Sequence, residues 1–161
     1  MSADSQVMEH FPSTLSRAES DDVAARIRRH VDEHGFGFWA VEVPGVTSFA
    51  GFAGLAHSRF DSHFTPCVEI GWRLAQTYWN QGYATEAARA ALKFGFIELG
   101  LPEIVSFTVP ANRASRRVME KLDMERDPDD DFEHPLLPDS HRLRRHVLYR
   151  MTRDAWLANR K

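Results

Sequence analysis

Cysteine is almost missing from this chain: Cys67 stands alone among 161 residues. One cysteine cannot close an intrachain disulfide, which excludes a disulfide-built scaffold and suits a reducing cytosol. Its place at the start of an apolar run makes it a buried thiol rather than a nucleophile. No apolar run approaches the length of a membrane span. The first residues, MSADSQVMEHFPSTL, are polar and acidic and lack the order of a secretory leader. Internal repeats and low-complexity tracts are absent. A basic excess is missing too: 20 Lys and Arg stand against 23 Asp and Glu, for a net charge of −3. That balance argues against a dedicated nucleic-acid binder. The run Arg142-Leu143-Arg144-Arg145-His146 is basic, but strand alternation splits it between two faces beside an acidic loop. No GxxxxGK[ST] motif occurs, which argues against a nucleoside-triphosphate P-loop. His30 and His34 sit four apart, a spacing that suits a metal, but at a fraying helix end they read as solvated, and no metal is expected. What remains is a globular composition, 43% hydrophobic with eleven Phe and four Trp. That is enough for a single domain over residues 1–161 with a real core.

Along the chain, residues 1–15 read as loop. Ser16-Arg17-Ala18-Glu19 has capping-box form and opens a helix to about Glu33, with Val23, Ile27 and Val31 on one face and Gly35 closing it. Strands follow over Gly37–Val43 and Ser48–His57, joined by a Pro44-Gly45 turn. Arg59–Pro66 is a polar connection, and Cys67–Gln76 is the next strand. A helix runs from Ala84 to near Leu99-Gly100, with Pro102 beyond. Glu103–Val109 is rich in β-formers. Asn112 caps a helix through Leu122, with Ala114, Val118 and Leu122 inward. Asp123 follows in the left-handed position, and Met124–Asp127 is a short strand. Residues 127–139 form an acidic loop, Arg144–Thr152 is the last strand, and a terminal helical turn begins near Asp154. The pattern is α+β: helices packed on a mixed, mostly antiparallel sheet.

One stretch organises the rest: EIGWRLAQTYWNQGYATEAARAA, from Glu69 to Ala91. It reads as strand, tight turn and helix. Ile70, Trp72 and Leu74 share one strand face; Glu69, Gly71 and Arg73 share the other. The turn Trp79-Asn80-Gln81-Gly82-Tyr83-Ala84-Thr85 leads into a helix whose first N–H groups have no intrahelical partner. The helix dipole adds about half a positive charge there. That is a site for a phosphate or diphosphate, and Gly82 with Ala84 keeps the approach open. The competing reading is an ordinary strand–turn–helix corner with glycine at its bend.

EIGWRLAQTYWNQGYATEAARAALKFGF resembles the acetyl-CoA-binding segment of the GNAT N-acetyltransferases. More narrowly, the YW-x-x-GYATEA form is similar to the branch that includes the ribosomal-protein N-terminal acetyltransferases RimJ and RimL. The likeness extends to VPANRASRRVMEKLDM and to FEHPLLP…LRRHVLYR. It departs at Trp79, where Gln or Arg is commonest, and at Asp123, where Gly is usual. The family's first strand is also absent ahead of Asp4-Ser5-Gln6-Val7-Met8. The domain is then N-terminally short, and a sheet edge near Gly37–Val43 is left to be covered, as a second copy in a homodimer would do.

The resemblance implies the GNAT fold, with strands that splay at the CoA site, and acetyl-CoA as cosubstrate. It implies transfer of the acetyl group to a primary amine, a protein N-terminus or a small molecule, in a cytoplasmic enzyme without nucleic-acid or membrane partners. A non-catalytic CoA-binding or interaction module that keeps the fold is the alternative. Acetyl transfer needs a neutral amine, a stabilised oxyanion and a protonated leaving thiolate. Glu69 is the first candidate for the base, directly or through water; the competing reading is a cross-strand ion pair with an arginine. A strand N–H around Leu74 would hold the oxyanion. Trp79, Asn80, Gln81, Gly82, Tyr83, Ala84 and Thr85 would form the diphosphate loop. Asn112-x-x-Ser115 matches the family's Asn-x-x-Ser: Asn112 would bond the pantetheine amide and Ser115 would protonate the sulfur. Both residues also serve as N-cap and first turn of their helix. Arg116, Arg117 and Lys121 would reach CoA phosphates or lie on a solvated face. Glu133 and His134 would line the acceptor pocket, or lie in a solvated loop.

Overall fold

Ser16 starts the first helix by reciprocal bonding. Its hydroxyl accepts from the Glu19 N–H at 3.2 Å, and the Glu19 carboxylate accepts from the Ser16 N–H at 2.8 Å. Two otherwise orphaned donors are thereby satisfied. This computed structural model describes residues 1–159. In it α1 runs Arg17–His34 and stops at Gly35, whose φ of +75° an L side chain rarely adopts. No residue of α1 is fully buried; Val23, Ile27 and Val31 are half-buried. His30 ties the end of the helix to the sheet. Its Nδ1 lies 2.8 Å from the Phe36 carbonyl, and its Nε2 accepts from the His57 N–H at 3.1 Å. The pair requires the neutral Nδ1–H tautomer and leaves His30 no lone pair for a metal.

Six strands follow: β1 Phe38–Val43, β2 Thr47–His57, β3 Val68–Leu74, β4 Glu103–Thr108, β5 Phe132–Glu133 and β6 Arg145–Thr152. They form an open sheet in the order β1-β2-β3-β4-β6-β5. Every neighbouring pair is antiparallel except β3 and β4. That parallel step needs a crossover, and α2 (Tyr83–Ile97) supplies it. With α3 (Arg113–Lys121) and α4 (Arg153–Ala158) the architecture is the α+β expected. Among the described residues no strand precedes α1, so β1 is the sheet edge. Val7 and Met8 of the opening turns are nonetheless buried.

The core lies between the sheet and α2. Small residues bring the helix close: Ala88 and Ala91 are buried, and a Cβ at Gly95 would stand 2.6 Å from Ile104 Cδ1 and 2.9 Å from Leu55 Cδ1. Leu55, Leu92, Phe96, Ile104 and Met119 fill this layer with almost no exposure. Several local expectations shift. In α3 the buried residue is Met119, and Ala114 is exposed, because the helix rolls its Val118–Met119–Leu122 edge onto the core. The segment after Asp123, which holds φ +60°, makes an isolated bridge between Glu125 and Arg150 rather than a strand. The acidic loop contains a 3-10 turn at Pro128–Asp130 and the short β5, which pairs with β6. Another 3-10 turn, Gln76–Tyr78, follows β3.

Strands β1 and β2 approach closely at Gly54, where a Cβ would collide with the Gly37 carbonyl and stand 2.8 Å from the Phe38 Cα. Gly54→Ala should therefore force the two backbones apart. A loss of about 2–4 kcal/mol is expected in urea unfolding, larger than for an ordinary surface substitution. A loss within about 0.5 kcal/mol would show that the strands can part without cost.

Candidate active site

The site is built where β3 and β4 part. Their ladder consists of one register pair, Glu69 opposite Val105. Beyond it the Ser106 hydroxyl donates to the Ile70 carbonyl at 3.0 Å, so a side chain completes what the neighbouring strand no longer reaches. On the other side the Ala75 N–H donates to the Ala50 carbonyl at 2.9 Å, with β2 and β3 in unbroken register. Peptide groups alternate along a strand, so those of Ile70, Trp72 and Leu74 turn toward β4. Past Ile70 they face the gap. The Leu74 carbonyl is taken by the Trp79 indole N–H at 2.9 Å. The Leu74 N–H faces the gap.

The loop after β3 is held open. Trp79 pins it to the strand end through that indole bond, and Gln81 Nε2 donates to the Thr77 carbonyl at 2.8 Å. Asn80 and Gly82 have φ of +60° and +89°. Asn is among the few residues with a side chain that visit this region readily. Gly82 is the N-cap of α2 and offers no side-chain bond to the helix end. The first bond of the helix is Glu86 N–H to the Gly82 carbonyl at 3.0 Å. Tyr83, Ala84 and Thr85 therefore present N–H groups without a partner among the described residues. The Thr85 side chain is buried, and nothing lies within 4 Å of a Cβ built at Gly82. The bend is not blocked by its own side chains.

At the start of α3 the Asn112 carbonyl oxygen accepts from the Ser115 N–H at 3.2 Å, and its Nδ2 donates to Thr108 Oγ1 at 2.9 Å. The cap is thus formed, and the amide is anchored to the end of β4 with one N–H and one lone pair to spare. Ser115 is half-buried, and its hydroxyl has no partner among the described residues. Arg116 turns inward to the Pro110 carbonyl and the Tyr149 hydroxyl, while Arg117 and Lys121 are exposed.

Glu69 is half-buried on the opposite face of β3 from α2. Its carboxylate has no hydrogen bond or ion pair among the described residues, so the structure contains no cross-strand ion pair for it. Burial pushes its pKa up to about 7, because the charged form loses water without gaining a partner. The thiol of Cys67 is pushed up to about 11 by burial and by the Glu69 charge, which keeps it inert. Val105, the register partner of Glu69, belongs to an apolar cluster with Phe64, Phe132 and Leu148 on the same side. Phe60 and Phe107 extend it, and His134 packs against Phe60 at 4.5 Å and His146 at 5.0 Å between ring centroids. Burial, then the neighbouring His146, lowers the pKa of His134. Glu133 alternates away from that cluster: it is exposed and ion-paired with Arg144 and Arg145 at 3.4 and 3.7 Å. The structure thus separates Glu133 from His134, because adjacent strand residues point to opposite faces. A cleft of about 310 Å³ lies elsewhere, and in it Arg150 is paired with Glu103 and Asp130 at 2.8 and 2.6 Å.

Sequence reasoning passed over Ser106 and Phe11, and gave Arg73 a strand face but no role. Arg73 shares a face with Glu69, which alternation alone placed there. Phe11, from the opening turns, lies over the Arg73 guanidinium at 4.0 Å from ring centroid to Cζ, a long-range contact with no local signal.

A parted parallel pair with unpaired peptide groups, and a row of free amides at the following helix, together make a gap lined with backbone donors. The profile of the acetyltransferase (GNAT) domain matches residues 1–125, and the chain belongs to that family. YkkB of Bacillus subtilis is 30% identical over 121 residues, which are 75% of this chain and 69% of YkkB. The FsC-acetyl coenzyme A-N(2)-transacetylase of Aspergillus fumigatus is 39% identical over 89 residues, 53% of this chain and 37% of that protein. Among solved structures, an acetyltransferase (GNAT family) from Bacillus anthracis superposes with a TM-score of 0.75 at 28% identity, over 95% of this chain and 85% of that one. No helix among the described residues is long and apolar enough to cross a membrane.

The unpartnered Glu69 carboxyl has a consequence for stability. Its folded pKa, about 7, lies above the ordinary 4.5. The native state therefore binds the proton more tightly, and the stability linked to it is lost as pH rises through the folded value. Glu69→Gln should raise the melting temperature at pH 8 by about 3 °C or more and change it little at pH 5. A melting temperature unchanged or lowered at pH 8 would mean that the carboxylate has a partner in solution.

Proposed function

We propose that this chain is an acetyl-CoA-dependent N-acetyltransferase that moves the acetyl group directly to a primary amine within a ternary complex. The observation that carries the reading is the row of unpartnered N–H groups from Tyr83 to Thr85, beside a gap faced by the Trp72 and Leu74 peptides. The printed name of the Aspergillus relative, which specifies acetyl coenzyme A and a nitrogen, supports the same cosubstrate and acceptor atom. In this reading the loop from Trp79 to Thr85 grips the diphosphate through the helix end. The pantetheine lies between β3 and β4, and the thioester reaches the middle of the sheet.

The acceptor nitrogen attacks the thioester carbon from the Glu69 side. As the carbon becomes tetrahedral, the Leu74 N–H, already aimed and unpaired, bonds the oxyanion without reorganising. Glu69 takes the amine proton, directly or through one water, and a pKa near neutrality suits it to hold and release that proton at physiological pH. The carbon–sulfur bond then breaks, and the half-buried Ser115 hydroxyl donates toward the departing thiolate. Asn112, fixed to Thr108, bonds a pantetheine amide with its spare N–H. His134 and its aromatic neighbours form one wall for the acceptor; Glu133, turned to the outer face, takes no part. A small-molecule amine is the first acceptor class to assay. A protein N-terminus, as in the RimJ and RimL branch, is the second acceptor class to assay.

Two measurements check this. Gly82→Glu puts a carboxylate where the diphosphate would lie, in a conformation that costs about 1–2 kcal/mol for a side chain. It should weaken acetyl-CoA binding at least about 100-fold in calorimetry, and retained affinity would remove the loop from the mechanism. Glu69→Gln should lower kcat/KM by about 10²–10⁴-fold and abolish the rise in rate expected of wild type as pH passes about 7, with acetyl-CoA affinity unchanged. If the substituted protein keeps the wild-type pH–rate profile, Glu69 is not the base.

A further inference from the structure

Arg73 is a cation with no ion pair among the described residues. Its Nε and Nη1 are sealed from solvent and have no hydrogen-bond partner among those residues. Its guanidinium lies against two rings: Phe11 at 4.0 Å, and Phe52, its cross-strand neighbour on β2, at 5.3 Å. Burial lowers its pKa to about 10, so the group stays charged at neutral pH. Aromatic contact offsets only part of the cost of removing a charge from water. It also acts on the faces of the guanidinium and leaves the Nε and Nη1 N–H groups, which lie in the plane, without an acceptor. No carboxylate among the described residues takes that position.

The surroundings specify what would. Arg73 and Glu69 project from the same face of β3, with Gly71 between them. Gly71 has no side chain, and the floor there is the ring of Phe38, whose atoms lie 3.2–3.3 Å from where a Cβ would be. Successive residues rise about 3.3 Å along a strand, so Glu69 and Arg73 stand about 13 Å apart at their Cα atoms, with the Phe38 ring covering Gly71 between them. The face thus offers a proton acceptor at one end, an apolar floor in the middle and an unsatisfied cation at the other.

We infer that Arg73 binds a carboxylate on the acceptor, and that the acceptor is a small ω-amino acid whose amine is directed to Glu69. This rests on the acetyltransferase reading and narrows it. Arg73 then acts in specificity: it orients the amine by holding the opposite end of the molecule, and an acceptor without the carboxylate leaves the buried fork unpaired.

The test uses acceptors that differ only in the carboxylate: γ-aminobutyrate against propylamine, and 5-aminovalerate against butylamine. Wild type should prefer the amino acid by about 10–100-fold in kcat/KM, the worth of one charge-assisted bond. Arg73→Met should lose most of that preference by slowing the amino acid, while the alkylamine stays within about threefold. Arg73→Lys should keep part of it. Acetyl-CoA affinity, measured separately, should be the same in all three proteins, which distinguishes lost recognition from lost folding. A ratio near one in wild type, or one unchanged by Arg73→Met, overturns the inference while leaving the transferase reading in place. If no amine turns over, binding of γ-aminobutyrate to the acetyl-CoA-loaded protein decides the matter. Binding that survives Glu69→Gln and disappears in Arg73→Met supports Arg73 as the carboxylate site, and absence of binding overturns it.

Discussion

Everything in this structure depends on a sheet that stops pairing in its middle. Backbone donors and acceptors inside a protein must be satisfied, and a sheet does so by keeping its strands side by side. Here β3 and β4 share one register pair before they diverge. The divergence is not a fraying end. Tyr149 and Val105 beside it are buried, and β2 keeps β3 in register through seven consecutive pairs, so one edge of β3 is rigid while the other is free. Ser106 fills one vacancy with its hydroxyl and Trp79 another with its indole. The unfilled positions remain aimed at a gap held by two packed layers. Donors fixed in advance need not be reoriented when negative charge develops beside them, which is the preorganisation the proposed transfer would use.

The same economy governs the charged groups. Several partly buried charges are paired: Arg150 bridges Glu103 and Asp130, and Arg126 binds Asp131. Glu69 and Arg73 are instead taken from water without an ion pair among the described residues, and they share one face of one strand. A carboxylate and a guanidinium that could have neutralised each other are kept apart by Gly71 and by rings from β1, β2 and the opening turns. Keeping two such groups unsatisfied costs stability, and sites that carry out chemistry are where such costs concentrate.

Much of this was legible in the sequence because the governing rules are local. Ser16 and Glu19 announce a capping box, Gly35 and Asp123 mark left-handed stops, and the alternation from Glu69 to Leu74 assigns each side chain a face before any coordinates exist. The Asn112 cap and the bend at Gly82 follow from spacing as well. What escaped depends on distance. Nothing near Phe11 says that it will rest on Arg73, and nothing near Ser106 says that its hydroxyl will reach the Ile70 carbonyl. Glu133 and His134 looked like a pair because they adjoin in sequence, but Glu133 turns to Arg144 and Arg145 while His134 packs on Phe60 and His146. In α3, helical spacing admitted more than one apolar edge, and packing against α2 chose the one with Met119.

Phe38 belongs to β1, the outermost strand, yet its ring is the surface at Gly71 on β3, two strands inward. The rim of the sheet and the reacting face are therefore one mechanical unit. Any tilt of β1 would raise or lower the ground on which the proposed acceptor stands. Sequence drift at the periphery would be felt at the centre as a change in the length of molecule admitted, with every residue that handles protons left untouched.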